Sequence, residues 1–526
     1  MTTMTAKPLP NDVAELKRLL ISAQQQLANQ SQHITYLEKI LRLYEEEKRL
    51  AKARQFGASS EKHALQYYLF DEAEQLEEMP SVPTPEALIE VKPHQRRGGR
   101  KKLPSDIPRI TVTHDLAEQD KHCACGNPLT HIGDVCSEQL DIIPAQIYVI
   151  EHKRLKYHCS HCNSAPKTAP LPAQPIPKSQ ASAGFLAYVA TSKYADGLPL
   201  YRQCHILNRL GIDYERHTLA HQMIHAGKLT QPLINLLQDK ALEYPYIQMD
   251  ETTTQVLKEP NKTASSESYM WVMRGGPPDQ TVVTYHYDPT RQQAVPERLL
   301  AGYRGYLQTD GYQGYNKVLS NDAVQGLGCW AHARRKYTDA QKALGKNSLQ
   351  SKRVQKALGF IGQLYAIETR HKDSEIIVRY QVRQNESLPV LQAFKIWLDK
   401  QAINPKSKLG EAITYTLNQW PRLVMYCEDG RLQIDNNAVE NKIRPFAVGR
   451  KNWLFSSSQR GASASANLYS LIETAKANGL NEYAYLKYIF AEIPKAQCVE
   501  DYEKLLPWNV DYTVLAKQLT RTPLKE

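Results

Sequence analysis

Three acidic residues stand in local contexts that could do chemistry: Asp250 in YIQMDETTT, Asp310 in YLQTDGYQGYN and Glu440 in LQIDNNAVENKIRP. The first two close short apolar runs that read as buried strands. The third falls in the first turns of a short helix for which Asp435 and Asn436 are candidate caps. Two carboxylates at strand ends and one on a helix can meet at one point, where they repel unless a cation neutralises them. Hard oxygen ligands suit Mg²⁺ or Mn²⁺. Two such ions about 4 Å apart can clamp the attacking and leaving oxygens of a phosphodiester. The trio therefore points to metal-dependent phosphoryl transfer on a nucleic acid. Taken singly, each acid has a plainer use: Asp310 before Gly311 fits a turn, and Asp435-Asn436-Asn437 fits a helix cap.

The elements that must position this trio follow from periodicity. From residue 244 the pattern is that of strands: YPYIQMDETTTQVL, SYMWVMRGG and QTVVTYHYD, then a helix (PERLLAG), then GYLQTD as a fourth strand. This is the order of a ribonuclease H-like core, in which the first and fourth strands lie side by side. That adjacency would unite Asp250 and Asp310. Residues 341–430 return to helix and read as an all-helical insertion ahead of Glu440. Arg444, one turn beyond Glu440, and Asn436, one turn before it, are placed to hold a phosphate and to orient the carboxylate. GRKNWLF (449–455) adds Arg450 and Lys451 as phosphate contacts, and His332, Arg334 and Arg335 follow a strand near the core, the arginines suited to phosphate positioning.

Outside the core, residues 13 to about 51 carry two heptad seams: Val13, Leu20, Leu27, Ile34, Leu41, and Leu16, Ala23, Gln30, Leu37, Tyr44. Uninterrupted by Gly or Pro, they predict a coiled coil joining two or more copies of the chain, with Gln30 a polar core position that can fix register, ahead of the other reading, one long amphipathic helix packed on its own protein. From Lys92 to Lys102 six Lys or Arg occur without an acid, among them Arg96, Arg97 and Arg100 around a Gly pair. Such a stretch suits either a solvated tether or insertion into a narrow minor groove. Cys123 and Cys125, then Cys159 and Cys162, form two close pairs separated by strand-like sequence, and can give four thiolates to one structural Zn²⁺. His122, His158 and His161 are alternative ligands. Residues 181–240 read as short helices bearing Lys193, Arg202 and Arg209 as exposed cations.

Lys and Arg exceed Asp and Glu by 11, and the pI is near 9.0, which favours a polyanionic partner such as DNA. Nine cysteines in 526 residues are too few for a disulfide scaffold. No apolar run reaches transmembrane length and the first residues lack a signal core, so a cytoplasmic, nucleoid-associated protein without a membrane partner is expected. The fold class expected is multidomain α+β. It comprises a coiled coil (1–53), a linker with the basic stretch (54–118), a zinc-binding β module (119–170) and a helical segment (171–240) that suits either a DNA-binding helix-turn-helix or a plain helical connector. The core follows (241–340), then the insertion (341–430), the second part of the core (431–478) and a C-terminal appendage (479–526).

Across these segments the chain resembles the transposases of the insertion-sequence 66 family. The resemblance rests on RQFGASSEKH, SEQLDIIPAQ, SKYADGLPLYRQ, DET at 250–252, GYLQTDGYQGYN, CWAHARRKY, DGRLQIDNNAVENKIRP, GRKNWLF, YSLIETAKANGL and KLLPWN. Departures are small: Gln55 and Ala58 stand where Arg is common. The resemblance implies a DDE-type enzyme with Asp250, Asp310 and Glu440 as the catalytic, metal-holding acids. It also implies double-stranded DNA (element ends and target) as partner, and small accessory proteins beside it. A nuclease on the same core that cuts without joining, or a zinc-and-zipper regulator with a silent core, are the other functions such modules allow.

Overall fold

The computed structural model describes residues 12–56, 147–158, 167–344 and 349–519. Residues 60–153 form a unit apart from the rest of the chain, and of it only 147–153 are described. Arg96, Arg97, Arg100 and the four paired cysteines lie outside the described residues, as do His122 and His161.

The N-terminal helix α1 (Val13–Phe56) is a single span of 44 residues. Its heptad positions Val13, Leu20, Leu27, Ile34, Leu37, Leu41 and Tyr44 are all exposed. A different stripe docks: Leu50 is buried, and Glu46 accepts the backbone N–H of Lys408 at 3.1 Å. The two-residue strands β1 (Lys156–Tyr157) and β2 (Lys167–Thr168) pair antiparallel.

Four helices precede the sheet: α2 (Ala183–Tyr194), α3 (Leu200–Arg209), α4 (Arg216–Leu229) and α5 (Gln231–Leu242). Arg202 and Arg209 are exposed as expected. Lys193 is not. Its ammonium sits 3.8 Å from the centre of the Trp453 ring, and burial lowers its pKa to about 7.

The sheet comprises β3 (Tyr246–Lys258), β4 (Glu267–Gly275), β5 (Val282–Asp288), β6 (Gly305–Gln308) and β7 (Val324–Leu327), in the order β5-β4-β3-β6-β7. The helices α6 (Ala294–Leu299) and α7 (Asn316–Leu319) lie in its connections. β3, β4 and β5 are antiparallel neighbours; β3, β6 and β7 run parallel. The expected adjacency of the first and fourth strands is thus present, with Gln248 opposite Gln308.

Asp250 does not end its strand. β3 is buried through Met249 and continues for nine residues from Asp250 to Lys258, half-buried at first and buried again at Thr254 and Val256. The β-branched Thr252, Thr253 and Thr254 favour this extension. β4 pairs along it, and β8 (Ser456–Ser458) pairs parallel to its last residues.

After β7 the chain turns into α8 (Trp330–Ala343), then α9 (Leu349–Arg370), α10 (Ile376–Val382), α11 (Leu388–Asp399) and α12 (Lys408–Val424). These helices share their own apolar core, with Trp330, Tyr337, Ile361, Phe394 and Leu409 fully buried. Glu440 then lies on α13 (Asn437–Trp453), a helix of 17 residues rather than a short one. The principal core joins the sheet to α2, α4, α5 and the C-terminal helices α14 (Gln459–Ala477) and α15 (Glu482–Glu492). Shorter helices α16 (Val499–Glu503) and α17 (Tyr512–Leu519) follow.

Candidate active site

Parallel pairing of β3 and β6 sets two sequences in step: Gln248-Met249-Asp250 beside Gln308-Thr309-Asp310. The glutamines, both fully buried, form the floor. Gln248 Nε2 donates to Gln308 Oε1 at 2.8 Å and to Asp435 O at 3.2 Å. Gln308 Nε2 donates to Gly328 O at 3.0 Å and Gln433 O at 2.9 Å. One amide pair therefore ties both strands to the start of α8 and to the segment entering α13. Successive side chains of one parity share a sheet face, so each aspartate stands on the face of its glutamine, one step outward.

Asp310 Oδ1 accepts Tyr312 N at 2.8 Å, closing a turn in which Gly311 takes φ +89°. A side chain there would be strained and would also meet the amide of Gln419. The turn role and the site role coexist in one residue. Tyr415 Oη donates to the Asp310 carbonyl at 2.9 Å.

Glu440 occupies the first turn of α13. Asn436 does not orient its carboxylate. The Asn436 amide donates instead to Met249 O at 3.1 Å, and its backbone N–H donates to Cys329 Sγ at 3.2 Å. It is the N-terminal cap residue by position, but its side chain makes no capping bond. Asp435 makes the local one, accepting Asn437 N at 3.1 Å, while Tyr365 Oη donates to its other oxygen at 2.8 Å. These bonds seat the helix start against β3, where the charge of Glu440 bears on Asp250.

The electrostatics report the convergence. Burial, then the charges of Glu251, Asp310 and Glu440, push the pKa of Asp250 up to about 8. Glu251 is also raised by burial, but it is committed to Arg291 (Nε at 2.7 Å) and to Tyr315 Oη at 2.8 Å. Its neighbour Asp250 has only the adjacent Glu251 N–H, at 2.8 Å, among the hydrogen bonds of the described residues. Glu440 lies 3.6 Å from His332 Nδ1 and 3.7 Å from Arg335. Glu440 Oε1 and His332 Nδ1 are both buried without a hydrogen-bond partner. Cys329, His332 and Glu440 present ligand atoms within 4.8 Å of one another.

The donor set fits divalent cations: crowded carboxylates, one of them held far above its ordinary range, and buried acceptor atoms without donors. Arg335 is beside this centre. Arg334 is half-buried on the same turn, where its charge bears on Tyr365. Arg444 is half-buried one turn past Glu440. Arg450 lies at the other end of α13, donating to Thr253 Oγ1 at 3.1 Å, with Lys451 next to it along an open groove. Gln248, Gln308, Tyr365 and Tyr415 are supporting residues that motif reading missed. The repeated Gln-x-Asp was the one signal that could have found the glutamines.

The model described as Transposase IS66 family matches residues 178–464, more than half of the chain, and the chain belongs to that family. Its C-terminal element matches 470–508, and the zinc-finger binding domain of transposase IS66 matches 120–163, a span holding all four paired cysteines. A domain described as Transposase C of IS166 homeodomain matches 43–112. Among curated proteins, uncharacterized protein y4qI of Sinorhizobium fredii is 30% identical over 537 residues, covering 95% of this chain and 97% of that one. Uncharacterized protein y4jD of the same organism is 32% identical, covering 77% of this chain and 81% of its own length. No helix among the described residues is long and apolar enough to cross a membrane.

Proposed function

We propose that this chain binds the ends of its mobile element and carries out phosphodiester hydrolysis and strand transfer into target DNA on a ribonuclease H-like core. The observation that supports the reading is that the charges of Asp310, past the end of β6, and Glu440, on α13, both bear on Asp250 of β3, whose pKa burial and the neighbouring acids raise to about 8. Those three residues would hold two Mg²⁺ or Mn²⁺ ions. Such ions acidify a bound water and offset charge on the attacking and leaving oxygens.

The protein's own share is placement. Gln248 and Gln308 fix the two strands in register, so the aspartates stay side by side. Asn436 and Asp435 fix the start of α13. Arg335, near Glu440, is placed to meet a phosphate entering the cluster, and Arg444, Arg450 and Lys451 continue a basic track along α13. No protein nucleophile is required: water serves for cutting, and the freed 3′-hydroxyl serves for joining. The basic stretch with Arg96, Arg97 and Arg100, the zinc module on Cys123, Cys125, Cys159 and Cys162, and pairing of copies through α1 complete the reading.

The test is incubation of purified protein with Mg²⁺ or Mn²⁺, a labelled duplex carrying the element's terminal repeat, and supercoiled plasmid, with Asp250→Asn alongside. Joined products that vanish in the variant are expected. Cutting without joining would make the chain a nuclease, and binding with neither would leave a regulator with a silent core.

A further inference from the structure

The last turn of α13 carries a feature that the cutting chemistry does not use. Trp453 is locked inward. Its ring packs edge-on against Tyr194 (centroids 6.4 Å apart) and lies beside Tyr469 at 6.3 Å, under the Lys193 ammonium. Any Cβ at Gly449 would lie 2.1 Å from the same ring. Three residues later Ser456 is fixed opposite Val256 in β8. Between these anchors are only Leu454 and Phe455. Leu454 takes φ 68°, ψ −53°, and Phe455 N donates to Trp453 O at 2.8 Å. That is a γ-turn of the strained hand, which a glycine would adopt freely.

The residues chosen run against both local preferences. Leu454 is 62% exposed and Phe455 41% exposed, where polar side chains would be solvated. Strain that presents two apolar groups to solvent points to a ligand. The surroundings say which. Leu454 borders a groove of about 420 Å³ with Thr253, Arg450, Lys451 and the carboxylate of Glu267, two cations to one acid. Arg450 also donates to Thr252 Oγ1 at 3.4 Å, and Thr252 stands two residues beyond Asp250 on the same face of β3, about 7 Å along the strand. A strand leaving the carboxylates along β3 would meet the cations and then the apolar pair.

We propose that Leu454 and Phe455 form a wedge that holds unstacked bases of an opened DNA strand next to the cleavage centre. Apolar side chains inserted at a base step separate it, and an aromatic ring then stacks on the freed base whatever its identity. This rests on the transposase reading.

The test compares two duplexes of one sequence from the element's end, one blunt and one with its last three pairs unpaired, each with 2-aminopurine beside the cleavage position. Full-length protein is used without added Mg²⁺, so no strand is cut. The wild type should bind the forked duplex about tenfold tighter and brighten the fluorophore. Leu454→Gly and Phe455→Ser should bring that preference close to unity with blunt-duplex affinity nearly unchanged, and Phe455→Trp should keep it. Melting temperatures no lower than that of the wild type certify the folds. If the variants keep the fork preference, lose both duplexes equally, or the wild type shows no preference, the wedge is wrong and the transposase reading stands. A wild type that binds neither duplex overturns both.

Discussion

Asp250 is charged only at a cost in the metal-free protein. Its pKa rises from 3.8 to about 8 on folding, so the folded state holds a proton that the unfolded chain releases. For an acid shifted upward, stability falls as pH climbs between those two values. Asp250→Asn removes the penalty, and so at pH 8 without divalent cation the variant should melt at least about 3 °C above the wild type. At pH 5 the gap should narrow. Added Mg²⁺ should raise the wild-type midpoint at pH 8 and leave the variant unmoved. Thermal melts at both pH values decide it. Cutting by the variant should fall below detection.

Gln308 tests the floor. Its amide serves Gln248, Gly328 and Gln433 and takes the Tyr246 hydroxyl. Gln308→Leu removes those partners and leaves buried polar groups unsatisfied, at about 1–3 kcal/mol. Chemical denaturation should show that loss, with slower cutting as Asp310 loosens. The abundance of Tyr, 30 against 8 Phe, has no account in the sequence. Three of these hydroxyls are donors that hold the site: Tyr315 to Glu251, Tyr365 to Asp435, Tyr415 to the Asp310 carbonyl.

Among the elements, the helical block between β7 and α13 bears on the site through a buried arginine as well as through Tyr365 and Tyr415. Arg383 is 1% exposed and forks onto Glu368 at 2.8 and 2.6 Å. It also donates to the carbonyls of Tyr426, Asp429 and Leu432, the last two in the loop that leads to Glu440. Removing one partner of such a pair strands the other, and Arg383→Ala should destabilise by about 3–5 kcal/mol. Slower cutting at a temperature where the variant remains folded would show that the block positions Glu440; an unchanged rate there would confine Arg383 to stability.

The long helix α1 makes a second element-scale case. Its heptad seam is bare while another stripe docks. A helix so exposed buries its seam best against another copy. Asn in place of Leu20, Leu27 and Ile34 together should therefore reduce the sedimenting mass to that of a single chain, and a wild type that is already monomeric would remove α1 as the joint.

On the scale of the whole molecule, end binding and cutting should separate. Cys159→Ser should lower bound zinc, read by elemental analysis, and weaken binding to end duplex by tenfold or more. The helices and sheet from residue 181 onward fold around their own buried clusters. Their metal-dependent melting should therefore survive the Cys159 change. Loss of both would mean that the zinc module props up the core itself.

Periodicity and residue type determined much of this protein. The strand succession, the coupling of Asp250 to Asp310 through adjacent strands, the long heptad helix and the family were legible, because alternation, heptad spacing and motif order are local properties of a chain. What lay between distant segments was not. That β3 runs on past Asp250, that Asn436 serves Met249 rather than Glu440, and that Lys193 is half-buried with its ammonium over the Trp453 ring are outcomes of packing between residues far apart in sequence. The pairing of Gln248 with Gln308, and the forcing of Leu454 outward between two fixed anchors, likewise exist only once the sheet has closed and α13 lies against it. Burial and register belong to pairs of segments, and no single stretch of sequence carries them.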